Sequence, residues 1–312
     1  ACAGGEIATL PAAGAEPATV LARIDRDLRD VVVAGESLLV SRLRSAEVLR
    51  IRKTDGELLS RAARRPASPV QGEPMEPAVG WRLVSSGAGG AVLVHQLAQS
   101  GLVDAAQSHA YAGLDPCGGP VRTVVTTFAP TSESSLRTSP GAFLGDAVVP
   151  VDIAPAPDGK QWAVIAAGNG HTPGLAQVHV FAGPGIEQQC VMQPSSQDFQ
   201  PVSHTEDPPG QAVAVAFTPD SDVLVLTREP AAIHRRPLSR FFTESTPDWE
   251  MIPLGGASRE DTGHAIFHSN TGGRIACVSC HPGGGDDGRV WQLASGPRRT
   301  QTLQGTLDGT AP

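Results

Sequence analysis

The chain is 312 residues long, with 24 Lys and Arg against 32 Asp and Glu and a formal net charge of −8. Scattered basic residues on an acidic chain do not make the clustered positive surface that a phosphate backbone needs, so nucleic acid is excluded as the expected partner. The 35 glycines and 27 prolines favour many turns over long helices, and no apolar run approaches the ~20 residues that would span a bilayer.

The opening Ala1-Cys2-Ala3-Gly4-Gly5 fits either a lipoprotein remnant, with Cys2 carrying a lipid anchor, or an arbitrary start. The first patterned segment is 29–59. Val31-Val32-Val33, Leu38-Leu39-Val40 and Val48-Leu49-Arg50-Ile51 are short β-rich runs. Gly35-Glu36 and Asp55-Gly56 supply the turns between and after them, a strand-turn-strand grammar. Similar units recur at 77–98, 149–181 and 211–237. The last two share a frame: an alternating apolar run, a Pro157-Asp158-Gly159 or Pro219-Asp220-Ser221 turn, a second apolar run, and a shorter strand near His179 or His234. Self-similarity at this scale signals repeated supersecondary units. Units of three or four strands at ~40–60 residue spacing predict a mainly β fold, a β-propeller of about six or seven blades over 15–240, with a β-sandwich as the rival. Residues 60–77, 128–147 and 184–210 are read as insertions between strands. Cys117 and Cys190 pair as a disulfide in an oxidising compartment or are unrelated.

After residue 238 the grammar changes. Residues 261–268 read as a short helix capped by Asp261 or Thr262, and 241–312 as a second unit. Within it stands Cys277-Val278-Ser279-Cys280-His281. Two thiols separated by two residues and followed by His suit the two vinyl groups and the iron of a c-type haem. A zinc site would recruit His264 and His268, four apart on one helix face. A redox Cys-x-x-Cys is the third reading, without a thioredoxin-like pattern around it. His268, His264 or Met251 could supply a distal iron ligand. Arg289, Arg298 and Arg299 could pair with propionates, and Trp291 could pack on the ring edge. Gly283 to Gly288 looks like a calcium loop or phosphate cradle, but reads better as a flexible turn. No Gly-x-Ser-x-Gly elbow supports a hydrolase.

The flanks add a resemblance. Gly263, Phe267, Gly273, Ile275, Ala276, Cys277, Cys280, His281, Pro282, Asp287 and Gly288 resemble the segment leading into the first haem of the di-haem cytochrome c peroxidase family, including MauG-type enzymes. Residues 298–312 resemble that family's following Arg-x-Thr stretch, and the propeller resembles YVTN-type repeats. The resemblance implies an α-helical cytochrome c domain beginning at 241–312 and continuing beyond it. It also implies one haem c attached through Cys277 and Cys280, with His281 as axial ligand and His268 as candidate distal ligand. The expected function is then c-type haem electron transfer, peroxidase-like when a second haem is present. A redox partner protein or small oxidant would be its partner, in the periplasm or on the outer surface. No catalytic residue is assigned. The alternative is a propeller binding or scaffold module of the cell envelope with a zinc or vestigial Cys-x-x-Cys-His site.

Overall fold

The computed structural model describes residues 1–14, 17–65, 74–87, 89–103, 119–132, 134–170, 175–183, 204–205, 207–242, 248–271 and 273–305. Two short strands, β1 (Glu6–Thr9) and β2 (Thr19–Arg23), pair antiparallel. Four antiparallel meanders of four strands follow. The first is β3 (Leu28–Ala34), β4 (Ser37–Arg42), β5 (Val48–Arg52) and β6 (Leu58–Ala62). The second is β7 (Met75–Ser85), β8 (Ala91–Gln99), β10 (Val121–Ser132) and β11 (Ser135–Leu144), with the two-residue β9 (Leu102–Val103) leaving it between β8 and β10. The third is β12 (Pro150–Pro155), β13 (Gln161–Ala166), β14 (Val178–Ala182) and β15 (His204–Thr205). The fourth is β16 (Ala212–Phe217), β17 (Asp222–Thr227), β18 (Ala232–Pro237) and β19 (Glu250–Pro253).

The apolar runs explain how the meanders stack. Side chains alternate across a strand, so a strand apolar at every position offers two apolar faces. In β4, Leu38 and Val40 pack with Ile7 of the two-stranded sheet, while Leu39 packs with Leu83, Leu93 and Phe128 of the second meander. In β8, Ala91 and Leu93 face the first meander, and Val92 and Val94 face the third. In β13, Trp162, Val164 and Ala166 face the second meander, and Ala163 and Ile165 face the fourth. The first three meanders are thus each packed between their sequence neighbours, and the fourth packs on the third. The first strands β3, β7, β12 and β16 lie next to one another in turn, the arrangement of blades around an axis. The expected β-propeller is therefore present. The described residues form four four-stranded sheets, one two-stranded sheet and one three-stranded sheet that β9 shares with the last two strands.

Three expectations need correction. Residues 128–147 are not an insertion: they supply the end of β10 and all of β11, the outer half of a blade. Their Ser, Thr and Pro content reflects an outer position with few buried side chains. The blades also extend past both ends of 15–240, because β1 begins at Glu6 and β19 pairs with β18 through Ile233–Ile252 and His234–Met251. Finally, the described residues after β19 do not form a helical domain. After β19 come helix α1 (Thr262–His268), the single turn α2 (Cys277–Cys280) and the hairpin β20 (Val290–Leu293) and β21 (Gly296–Arg299).

Neighbouring first strands are also tied by charge. Asp30 of β3 accepts the Leu83 N–H at 2.9 Å, and Asp152 of β12 accepts the Val215 N–H at 2.9 Å. Arg82 of β7 lies between them, 3.2 Å from each carboxylate. Gly80 in the same strand allows a close approach, because a Cβ there would stand 2.7 Å from the Arg42 carbonyl oxygen. Asp152→Ala removes an acceptor from a buried backbone N–H, and we expect urea unfolding to show a loss of about 1–3 kcal/mol. Asp152→Asn, which keeps an acceptor, should lose less.

Candidate functional site

The Cys277–His281 turn is planted on the propeller. Ala276 and Val278 are buried in the cluster that joins the second and third blades, beside Trp81, Val92 and Trp162. Ser279 is buried too, and its Oγ accepts the Ala276 N–H at 3.2 Å. The His281 N–H donates to the Cys277 carbonyl at 3.0 Å, closing the turn. The approach is equally fixed: the Asn270 N–H donates to the Gly168 carbonyl at 2.8 Å, and Arg274 pairs with Asp146 at 2.9 Å.

The glycine-rich loop after it is structural. Asp286 accepts the Gly288 N–H at 2.9 Å with one oxygen and pairs with Arg44 of the first blade at 2.9 Å with the other. Gly288, at φ 74°, fits because a Cβ there would meet the Arg44 side chain at 3.1 Å. Asp287 is buried, accepting the Arg289 N–H at 3.0 Å and the Trp291 indole N–H at 3.1 Å. Arg289 lies over the Trp291 ring, 5.5 Å from its centroid, and reaches Glu76 of the second blade at 3.4 Å. Strand β20 then pairs parallel with β9, Gln292 opposite Leu102 and Leu293 opposite Val103. The flexible-turn reading of Gly283 to Gly288 is thereby replaced. Both carboxylates accept from protein donors, which fixes the loop.

The candidate ligands are placed as follows. Cys277 is exposed and Cys280 is half-buried, both as free thiols. Burial, with the Asp287 carboxylate close by, pushes the Cys280 thiol up to about 12, away from the thiolate that binds metal. His281 is half-buried, with Nδ1 3.2 Å from the Gly285 carbonyl. His264 and His268 stack on each other at 3.9 Å between ring centroids, and His268 Nδ1 contacts the His264 carbonyl at 2.9 Å. Met251 is exposed on β19, the outer strand of the fourth blade. Arg298 donates to the carbonyls of Pro297 and Ser295; Arg299 is exposed on β21. Cys2 is exposed. Cys117 and Cys190, with the disulfide expected between them, lie outside the described residues. What the sequence did not disclose was the role of Arg44, Glu76 and Asp146 as anchors, because pairs such as Arg44–Asp286 are 242 residues apart.

No protein-family model matches the sequence, and no curated protein matches it. Solved structures do. A 6-phosphogluconolactonase-like protein from Bacteroides uniformis is 14% identical, with 82% of this chain and 66% of that one covered at a TM-score of 0.44. A gluconolactonase from Xanthomonas campestris is 15% identical, with 77% and 67% covered at 0.40. A calcium-binding protein, regucalcin, from Agrobacterium tumefaciens is 13% identical, with 75% and 64% covered at 0.37. The chain thus spans about two thirds of the length of each. The propeller assignment rests on the pairing and stacking described above, and these likenesses add no activity to it.

The expectation of a haem-, iron- and metal-binding cytochrome c with electron-transfer or peroxidase-like character is corrected on these findings. Among the described residues no three His, Cys, Asp or Glu come together as a metal-binding group. Cys277, Cys280 and His281 therefore fall short of the four ligands that a structural zinc site takes. Among the described residues, the segment that was to open a helical domain packs on the propeller.

Proposed function

We propose that the chain is a propeller scaffold or binding module of the cell envelope, in which the Cys-x-x-Cys-His segment is a vestigial site retained as a structural clasp. The observation that carries this reading is the use to which residues 270–304 are put. Their buried apolar side chains enter the cluster between two blades. Their charges pair with Arg44, Glu76 and Asp146, on or beside the first two blades. Their hairpin extends onto β9. Each contact strengthens a rigid platform, which suits a fold that presents its loops to a partner.

The test compares two double variants of the exported chain. With Cys277→Ala and Cys280→Ala together, the melting midpoint and the protease resistance of 270–304 should match the parent. With Asp286→Ala and Asp287→Ala together, that segment should become cleavable, because Arg44 loses its carboxylate partner and the Trp291 indole one of its two acceptors. Stoichiometric covalent haem or bound zinc in the purified parent chain would overturn the reading. So would collapse of the clasp in the cysteine variant.

A further inference from the structure

In the clasp, Cys277 and Cys280 contribute backbone and spacing, which leaves their thiols without an assignment. The two stand three positions apart on one helical turn, where helix geometry sets the Cα atoms ~5 Å apart, inside the ~4.4–6.8 Å between Cα atoms that a disulfide spans. They differ in access. Cys277 faces solvent, whereas Cys280 is half-buried. The buried Val278 and Ser279 between them hold the turn in place, so this difference is built into the fold.

We propose that Cys277 and Cys280 form a redox-active dithiol that exchanges with disulfide-bonded substrates. The Cys277 thiolate attacks one sulfur of the incoming disulfide, whose S–S bond breaks. The departing thiolate takes up the proton that Cys277 released. Cys280, kept protonated by burial until then, gives up its proton as it attacks the Cys277 sulfur of the mixed disulfide. The Cys277–Cys280 bond closes, and the second thiolate leaves with the proton from Cys280. Two electrons pass from the cysteine pair to the substrate, which is released as two thiols. Access fixes the order, since exchange depends on which sulfur an incoming group can reach. The proposal goes beyond the clasp reading, which gives the thiols no task.

The experiment uses the full chain, oxidised glutathione as the probe, and peptide mapping by mass spectrometry after acid quenching. The parent should finish with an internal Cys277–Cys280 disulfide, reversed by dithiothreitol, and little retained glutathione. Cys280→Ala should trap glutathione on Cys277. That yield should exceed the glutathione trapped on Cys280 in Cys277→Ala by about tenfold or more, because a shielded thiol exchanges slowly. Equal trapping at the two positions would overturn the proposal, as would free thiols that never close. Those outcomes leave the clasp reading standing. Thiols already blocked by a covalent group would sink both.

Discussion

Acidification from about pH 6.5 to about pH 4.5 is expected to cost the propeller about 5 kcal/mol of stability through two buried histidines alone. His95 on β8 is fully enclosed, with Nε2 2.8 Å from the Thr126 hydroxyl and Nδ1 3.0 Å from the Gln96 carbonyl. Burial holds its pKa down to about 3. His179 on β14 is enclosed too, its Nε2 3.0 Å from the Ala176 carbonyl, and burial lowers it to about 4. Both are neutral in the folded chain at a pH where the unfolded chain protonates them. The unfolded state therefore binds more protons, and stability falls as pH drops below the ordinary histidine value, by ~1.4 kcal/mol per pH unit for each ring. The loss continues until the lowered folded values are reached. His234 on β18, also lowered by burial, acts in the same direction. Urea unfolding at a series of pH values checks this. The informative window lies between about pH 6.5 and pH 5, above the ordinary carboxylate range. His95→Gln and His179→Gln together should flatten the slope there. An unchanged slope would mean that other groups set the acid sensitivity.

The blades were legible in the sequence because their inner strands are apolar at consecutive positions. Val31–Val33, Leu38–Val40 and Val48–Ile51 fall within β3, β4 and β5, and Gly35 and Gly56 occupy the turns at positive φ, 61° and 76°. The outer strands were not legible. Thr138 and Ser139 in β11 pair with Phe128 and Thr127, yet 128–147 reads as a polar insertion. An outer strand needs backbone hydrogen bonds more than apolar side chains, and composition does not register backbone pairing. β19 makes the same point: all four of its residues, Glu250 to Pro253, are exposed. The Asp261 cap on α1 was legible, and its carboxylate accepts the His264 N–H at 3.0 Å. The Cys277–His281 motif was legible as spacing only. Spacing fixes how two thiols and an imidazole stand to one another. It carries no information about Trp81 or Trp162 packing beneath the turn, or about Arg44 and Glu76 reaching it from other blades. A resemblance built on adjacent residues therefore supplied a domain where long-range contacts build a clasp.

Val278→Asp should release that clasp while leaving the propeller folded. Val278 is 2% exposed, in a cluster walled by blade residues. The cluster around it is apolar, and burying an unpaired charge there costs several kcal/mol even after relaxation. The chain has a cheaper response than accepting that cost. Among the described residues, 270–304 is held by the insertion of Ala276 and Val278, three ion pairs at 2.9–3.4 Å, the Asn270–Gly168 backbone hydrogen bond and two strand-pairing positions. Of the ion pairs, those formed by exposed side chains contribute little. Undocking the segment returns the new carboxylate to water at the expense of those contacts only. The penalty on the propeller is then capped by the docking free energy of the clasp. Hydrogen exchange should accelerate across 270–304 and stay slow in β8 and β13. Val278→Ala, which leaves a gap without a charge, should lower stability by about 1–3 kcal/mol with the segment still docked. If Val278→Asp instead unfolds β8 and β13 together with the segment, the clasp is an integral part of the blade core, and its separation from the propeller as a unit is wrong.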